Sequence, residues 1–158
     1  MTTLEGLDLT ALDRHLTAVG IPRTGELRGE FISGGRSNLT FLVYDDASKW
    51  VLRRPPLHGL TPSAHDMARE YRVVAALEDG PVPVARAVTM RDDDSVLGAP
   101  FQMVEYVPGR VVRLADELDT LGGPEVISGC VDALIKVLAD LHAVDPDAVG
   151  LGDFGRPD

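Results

Sequence analysis

Cysteine is nearly absent from this sequence, since Cys130 is the single one among 158 residues. One cysteine excludes a disulfide within the chain and any zinc site built from several cysteines. Cys130 falls in an apolar helical pattern, which predicts a small, buried hydrophobic residue. The four histidines are scattered, and no third ligand accompanies the nearest two, His58 and His65, so no metal site is predicted.

The sequence also lacks a long apolar run and an excess of basic charge. No stretch reaches the roughly 18 apolar residues that a membrane-spanning helix needs, and the N-terminus has no basic start followed by an apolar signal core. We therefore expect no membrane partner and a cytoplasmic location. Fifteen basic residues against 25 acidic ones give a net charge of −10, which disfavours nucleic acid as a partner.

The rest of the composition is that of an ordinary globular chain, with 44% apolar and 25% charged residues. The length suits one domain, or a small lobe with part of a second. Helical periodicity predicts a short helix at 8–19, capped by Asp8, and another at 65–78. A third helix is predicted at 125–142, and its apolar face is unusually broad.

Alternating and β-branched segments predict a small antiparallel sheet before the third helix. A glycine-rich loop separates the first two strands, and prolines or glycines end the later ones. The predicted extended segments are 27–33, 39–44, 49–53, 82–90 and 100–107. A small sheet crossed by one helix, followed by a helical segment, is the expected arrangement.

Two features near the first strands suggest phosphate chemistry. Glycines in the loop 34–38 allow close backbone approach, and exposed N–H groups there can cradle phosphate; a plain hairpin turn is the alternative. Arg53 ends a strand beside this loop and shares a face with Val51 but not with Leu52. Its guanidinium could bind phosphate oxygens, although a solvated surface arginine is the alternative.

Two further features follow along the chain. Glu70, inside the helix at 65–78, could pair with Arg53 and fix its direction. The alternative for Glu70 is an exposed helix residue that bonds to Arg54, Arg69 or Arg72. The segment 103–109, Met-Val-Glu-Tyr-Val-Pro-Gly, ends a strand in a Pro-Gly joint, whose backbone groups could bind a flat base; an ordinary edge strand is the alternative.

The order of these features resembles the aminoglycoside phosphotransferase family, which has a protein-kinase-like fold. The resemblance covers about 25–158 and is carried by the segments 32–40, 50–56, 69–77, 100–110 and 138–142. It implies an α+β fold in which a five-stranded antiparallel sheet with one crossing helix precedes a hinge and a partial helical C-lobe. The implied divisions are an N-terminal helical segment at 1–23, a nucleotide-binding lobe at 24–108 and part of the C-lobe at 109–158.

The resemblance implies a role for each matched residue. Arg53 takes the place of the strand lysine that contacts nucleotide phosphates, with Arg54 as the alternative, and Glu70 pairs with that cation. The residues that match the phosphate-covering loop are Gly34, Gly35, Ser37 and Asn38. The residues that match the adenine contacts are Val104 behind the base, the Glu105 carbonyl and the Val107 N–H.

The family's activity is ATP- or GTP-dependent phosphorylation of a small-molecule hydroxyl with Mg²⁺, and the acceptor cannot be chosen from the sequence. Transfer requires a His-Gly-Asp loop with a following Asn, but the single asparagine is Asn38 and no His-x-Asp occurs. The triplet Asp153-Phe154-Gly155 spells a kinase metal motif, which we reject because no catalytic loop precedes it. We therefore predict no catalytic or metal residue in this chain.

These absences leave two alternatives beside an incomplete phosphotransferase. One is a degenerate kinase-like lobe that acts as a non-enzymatic binding or regulatory module, and the other is a structural domain without a ligand. For the incomplete phosphotransferase we expect weak nucleotide binding, with a dissociation constant on the order of millimolar. The broad apolar face of the helix at 125–142 further predicts a homodimer through that face.

Overall fold

The computed structural model describes residues 4–34, 38–57 and 66–155. The chain forms two compact units. The first comprises Met1–Ala75 with Ala85–Tyr106, and the second comprises Ala76–Val84 with Val107–Asp158. The first unit contains the whole sheet, and the divisions predicted from the sequence stay a prediction.

A five-stranded antiparallel sheet forms the centre of the first unit, in the order β1-β2-β3-β5-β4. The strands are β1 Arg28–Gly34, β2 Leu39–Tyr44, β3 Lys49–Arg54, β4 Ala87–Arg91 and β5 Phe101–Glu105. The predicted α+β class and the predicted number of strands are confirmed. The last two strands are shorter than the segments that the sequence predicts.

The described part of the chain also contains three α-helices: α1 Leu9–Ala18, α2 Met67–Leu77 and α3 Pro124–His142. The predicted cap of α1 is present, because the Asp8 side chain accepts a hydrogen bond from the backbone N–H of Ala11 at 2.9 Å. Such a cap satisfies one of the backbone donors that a helix start leaves open. Proline begins α3, where its missing N–H removes no intrahelical bond.

Side-chain alternation divides the sheet into two faces. Leu52 of β3 and Phe41 of β2 lie on one face, where they join a buried cluster with Leu12 and Leu16 of α1. Leu12, Leu16 and Leu52 are fully buried, and burial of this size is the main favourable term in folding. Successive side chains of a strand alternate between the two faces. The residues of β2, β3 and β5 that lie between the core residues therefore point to the other face.

The helix α3 lies in the second unit and carries no buried residue. Its large exposed apolar side chains are Val126, Val131, Leu134, Ile135, Leu138 and Leu141. Cys130 is also exposed, so the prediction of a buried thiol is wrong. The apolar periodicity shows which side chains share one face of the helix. It does not show whether another part of the protein covers that face, and burial depends on such cover.

The homodimer expected through this face stays a prediction. Within the residues that the structure describes, no helix is both long enough and apolar enough to cross a bilayer.

Candidate functional site

Arg53 and Glu70 form an ion pair on the sheet face opposite the core. The Arg53 Nη1 donates to Glu70 Oε2 at 2.6 Å. Alternation along β3 places Arg53 on this face, because Leu52 and Arg54 on either side of it are buried. Glu70 lies in the first turn of α2. Both side chains are about one-third exposed or slightly more, so the pair remains open to solvent. The structure thus brings together the two residues that the sequence predicts to pair.

Gln102 on β5 is the third member of this cluster, and sequence reasoning missed it. Its Nε2 donates to the same Glu70 Oε2 at 2.6 Å, and its backbone lies directly opposite Arg53 in the β3–β5 register. The residue is 4% exposed. A signal was present in the sequence, since Gln102 is a polar residue between the apolar residues Phe101 and Met103. Alternation along the strand also places it on the same face as Val104.

Arg54 points to the opposite face and is committed to the backbone. Its guanidinium donates to the carbonyls of Gly6 at 2.7 Å, Leu97 at 3.0 Å and Pro55 at 3.3 Å. The side chain is buried, and this burial lowers the pKa of Arg54. Of the two arginines that the sequence left open, Arg53 is therefore the one beside Glu70, whereas Arg54 is part of the core.

An apolar row lies beside the charged cluster on the same face. Leu42, Val51 and Val104 are opposite one another across β2, β3 and β5, and all three are half-buried. The parallel row two residues away contains Thr40, Arg53 and Gln102. An apolar strip next to a guanidinium can accept a flat ring and an attached anionic group, which is the arrangement that a nucleotide presents.

The glycine-rich loop is only partly described. Gly34 pairs with Leu39 at the closed end of the β1–β2 hairpin, and Asn38 is buried at the start of β2. Gly35 and Ser37, which the sequence also assigns to phosphate, lie outside the described residues. The role of this loop in covering phosphates stays a prediction.

The segment after β5 remains bonded to its neighbours through Tyr106. Glu105 N–H donates to the Arg86 carbonyl at 2.9 Å, and Tyr106 N–H donates to the Lys49 carbonyl at 3.0 Å. Val107 is 63% exposed. The adenine contacts expected of the Glu105 carbonyl and the Val107 N–H stay predictions.

Within 4–34, 38–57 and 66–155, no group of three or more His, Cys, Asp or Glu side chains could hold a metal ion. Glu70, the carboxylate of the candidate site, already accepts two hydrogen bonds at one oxygen. The expectation that this chain supplies no metal ligand stays a prediction.

His15 is a buried titratable residue on the core face, and the sequence did not single it out. Its Nε2 lies 3.1 Å from Thr89 Oγ1 on β4, and its ring meets the Phe101 ring edge-to-face at 5.5 Å between centroids. Burial lowers the pKa of His15, Arg91 lowers it further, and Asp93 partly opposes the shift. His15 therefore attaches α1 to the sheet through Thr89 and Phe101.

Stability should consequently depend on pH through His15. Its pKa is lower in the folded chain than the unfolded value of about 6.5, so the unfolded chain binds more protons below that value. The His15 contribution should be complete above about pH 6.5 and should decline as the pH falls from there through the folded pKa. Urea unfolding at about pH 7.5 and about pH 5.5 measures the loss.

The variant His15→Gln should lose less stability than the native chain over this pH interval, because its side chain does not titrate. His142→Gln is the matched control, since His142 is an exposed residue at the end of α3. A His15→Gln variant with the native pH dependence would contradict this assignment.

Comparison with known proteins places the chain in a family. The model described as "Phosphotransferase enzyme family" matches residues 28–158. A crystal structure from Ralstonia eutropha JMP134, assigned as an aminoglycoside phosphotransferase, superimposes with a TM-score of 0.77 at 33% identity. The match covers 95% of this chain and 42% of that one.

Longer proteins with a different name also contain a similar segment. Acyl-CoA dehydrogenase family member 10 of Mus musculus is 33% identical over 147 residues, which are 92% of this chain and 14% of that protein. Acyl-CoA dehydrogenase family member 11 of Homo sapiens is 32% identical over 145 residues, which are 91% of this chain and 18% of that protein. This chain thus spans less than a fifth of the length of these relatives. The family match and the kinase-like sheet agree, and the chain belongs to the aminoglycoside phosphotransferase family of phosphotransferase enzymes.

Proposed function

We propose that this chain is the nucleotide-binding part of a phosphotransferase that moves the γ-phosphate of ATP or GTP to a small-molecule hydroxyl. The observation that carries the proposal is the Arg53–Glu70 ion pair beside the apolar row of Leu42, Val51 and Val104. Family membership supplies the reaction class, and the position of the cation next to an apolar strip supports a nucleotide as the ligand.

The roles of the residues follow from their chemistry. Arg53 offers a planar, positively charged set of donors to phosphate oxygens. Glu70 restrains the direction of that guanidinium, and the apolar row packs against the base. The residues to which we assign the remaining nucleotide contacts are Gly34, Gly35, Ser37, Asn38, Glu105 and Val107. The nucleotide would enter as its Mg²⁺ complex.

Phosphoryl transfer needs more than these residues. A carboxylate that positions the acceptor hydroxyl is part of the reaction, and the sequence has no His-x-Asp with a following asparagine. We therefore propose that this chain alone binds nucleotide without transferring phosphate. The names of the acyl-CoA dehydrogenase relatives concern another reaction, so they leave the phosphoryl acceptor unassigned. We also propose a cytoplasmic location, which agrees with the use of ATP or GTP as the phosphoryl donor.

A non-enzymatic module is the second candidate, and the missing catalytic loop favours it. In that case the lobe would bind a partner or a nucleotide for regulation, and the ion pair would be a structural contact. The two candidates differ in what removal of the Arg53 charge does to nucleotide affinity.

The test is a titration of the chain with Mg²⁺-ATP, followed by backbone amide shifts in NMR spectra. The native chain should bind with a dissociation constant on the order of millimolar. Arg53→Met should weaken binding by about tenfold or more, because a charge-assisted contact to phosphate is lost. Arg14→Met is the matched control, since Arg14 lies on α1, which packs on the core face.

Unchanged binding by Arg53→Met would overturn the phosphate role and favour the regulatory module. Micromolar affinity of the native chain would overturn the proposal that these residues form only part of the nucleotide site.

A further inference from the structure

We propose that Gln102 is a positioning residue, which holds the Glu70 carboxylate in the one orientation that directs Arg53 toward a nucleotide phosphate. This inference rests on the proposed function, because it concerns the same cation. It adds a residue that neither the family resemblance nor the sequence motifs assign. Gln102 would act through Glu70 and would not touch the nucleotide.

The ion pair alone is poorly suited to fix a direction. Arg53 and Glu70 are both long side chains that are partly exposed, and such pairs gain little because solvent screens them and ordering costs side-chain entropy. Gln102 differs, since it is almost completely buried on a strand that is paired on both sides. Its amide N–H therefore reaches Glu70 Oε2 from a rigid position, 2.6 Å away.

The orientation of the Gln102 amide is itself determined by charge. If the amide were reversed, its oxygen would face the Glu70 carboxylate, and two acceptors would meet without a proton between them. The amide nitrogen must therefore face Glu70. Arg53 and Gln102 then donate to one oxygen from neighbouring strands, because they are directly opposite in the β3–β5 register.

The amide oxygen of Gln102 indicates that folding stability alone does not favour a glutamine at this position. Gln102 Oε1 is buried and has no hydrogen-bond partner among the described residues. A buried acceptor without a partner lowers stability, whereas an apolar side chain of similar shape would avoid that loss. Local costs of this kind are typical of residues that serve a binding or catalytic site.

Met90 provides a matched control beside Gln102. It lies opposite Gln102 on the other side, in β4, and its side chain has no group that can donate to Glu70. Met90→Leu conserves volume and should leave both the melting temperature and nucleotide binding unchanged. Gln102→Met is the test variant, because it keeps the length of the side chain and removes both polar atoms. Gln102→Leu is a second version of the same change.

The composition of the chain permits a direct measurement of the hydrogen bond. Gln102 is the single glutamine and Asn38 the single asparagine, so the side-chain amide region of a ¹⁵N NMR spectrum should contain two pairs of signals. The pair that is absent from Gln102→Met belongs to Gln102. Its protons should exchange slowly with solvent in the native chain and faster in Glu70→Ala. Equal exchange in the two proteins would overturn the inference without testing nucleotide binding.

The functional test is a double-mutant cycle with Mg²⁺-ATP as the probe. Gln102→Met should weaken binding by about three- to tenfold while the melting temperature stays equal or rises, which a purely structural role would not produce. In the Glu70→Ala background, Gln102→Met should weaken binding no further, because its effect passes through Glu70.

The possible failures are distinguishable. If Gln102→Met binds like the native chain while Arg53→Met binds weakly, the positioning role is wrong and the proposed function stands. If Gln102→Met weakens nucleotide binding equally in the Glu70→Ala background, the positioning role is also wrong. It is wrong too if the weaker binding of Gln102→Met accompanies a lower melting temperature. If neither variant affects binding, the phosphate role of Arg53 fails, and the role of Gln102 fails with it.

Discussion

Replacing Arg54 with methionine should lower the free energy of unfolding by about 3 kcal/mol. Arg54 is 5% exposed, and its guanidinium donates to the carbonyls of Gly6 and Leu97, which come from two distant segments of the chain. Methionine fills part of the volume but donates nothing. Both carbonyls would then lose a charged donor in a site where water has little access, and each lost partner costs stability.

The same substitution at the neighbouring position should have a different result. Arg53→Met should lower the free energy of unfolding by less than about 1 kcal/mol, because the Arg53–Glu70 pair is partly exposed and solvent screens it. It should, however, weaken nucleotide binding, which Arg54→Met should leave unchanged below its melting temperature.

Urea unfolding and a Mg²⁺-ATP titration of the two variants measure both effects. Similar losses of stability in the two variants would contradict the assignment of Arg54 to the core and of Arg53 to the binding face.

The sequence predicts the strands and helices well because their signals are local. The period-two pattern around Leu52 and the Asp8 cap depend on residues close together in the chain, and both features are present in the structure. Alternation also shows that Arg53 and Arg54 point to opposite faces. It cannot show which face is the core, because that depends on α1 and on Gly6, which is 48 residues from Arg54.

The candidate site was predictable in part for the same reason. Arg53 and Glu70 could be paired from the order of motifs, whereas Gln102 required the strand order, in which β5 and not β4 lies beside β3. A sequence pattern does not contain that order directly, since β3 and β5 are separated by a helix and another strand. The wrong prediction for Cys130 has a similar cause. An apolar helical pattern does not show which other part of the protein, if any, packs on the helix and buries the cysteine.

Truncation of Phe101 to alanine should lower the free energy of unfolding by about 4 kcal/mol. Phe101 is fully buried at the start of β5 and belongs to the cluster that joins α1 to the sheet. The truncation removes apolar contacts and leaves a cavity that the strands on either side cannot fill by moving. It also removes the ring against which His15 packs, so the attachment of α1 should weaken together with the core.

Phe31→Ala is the control that separates burial from residue type. Phe31 also meets another ring edge-to-face, that of Phe41, but it is 52% exposed on the edge strand β1. Its truncation should cost about 1 kcal/mol or less, because water already surrounds half of the side chain. Urea unfolding at one pH measures both variants. Equal losses would mean that the cluster around Phe101 is not the main core of the first unit, and the attachment of α1 through His15 would then lose its support.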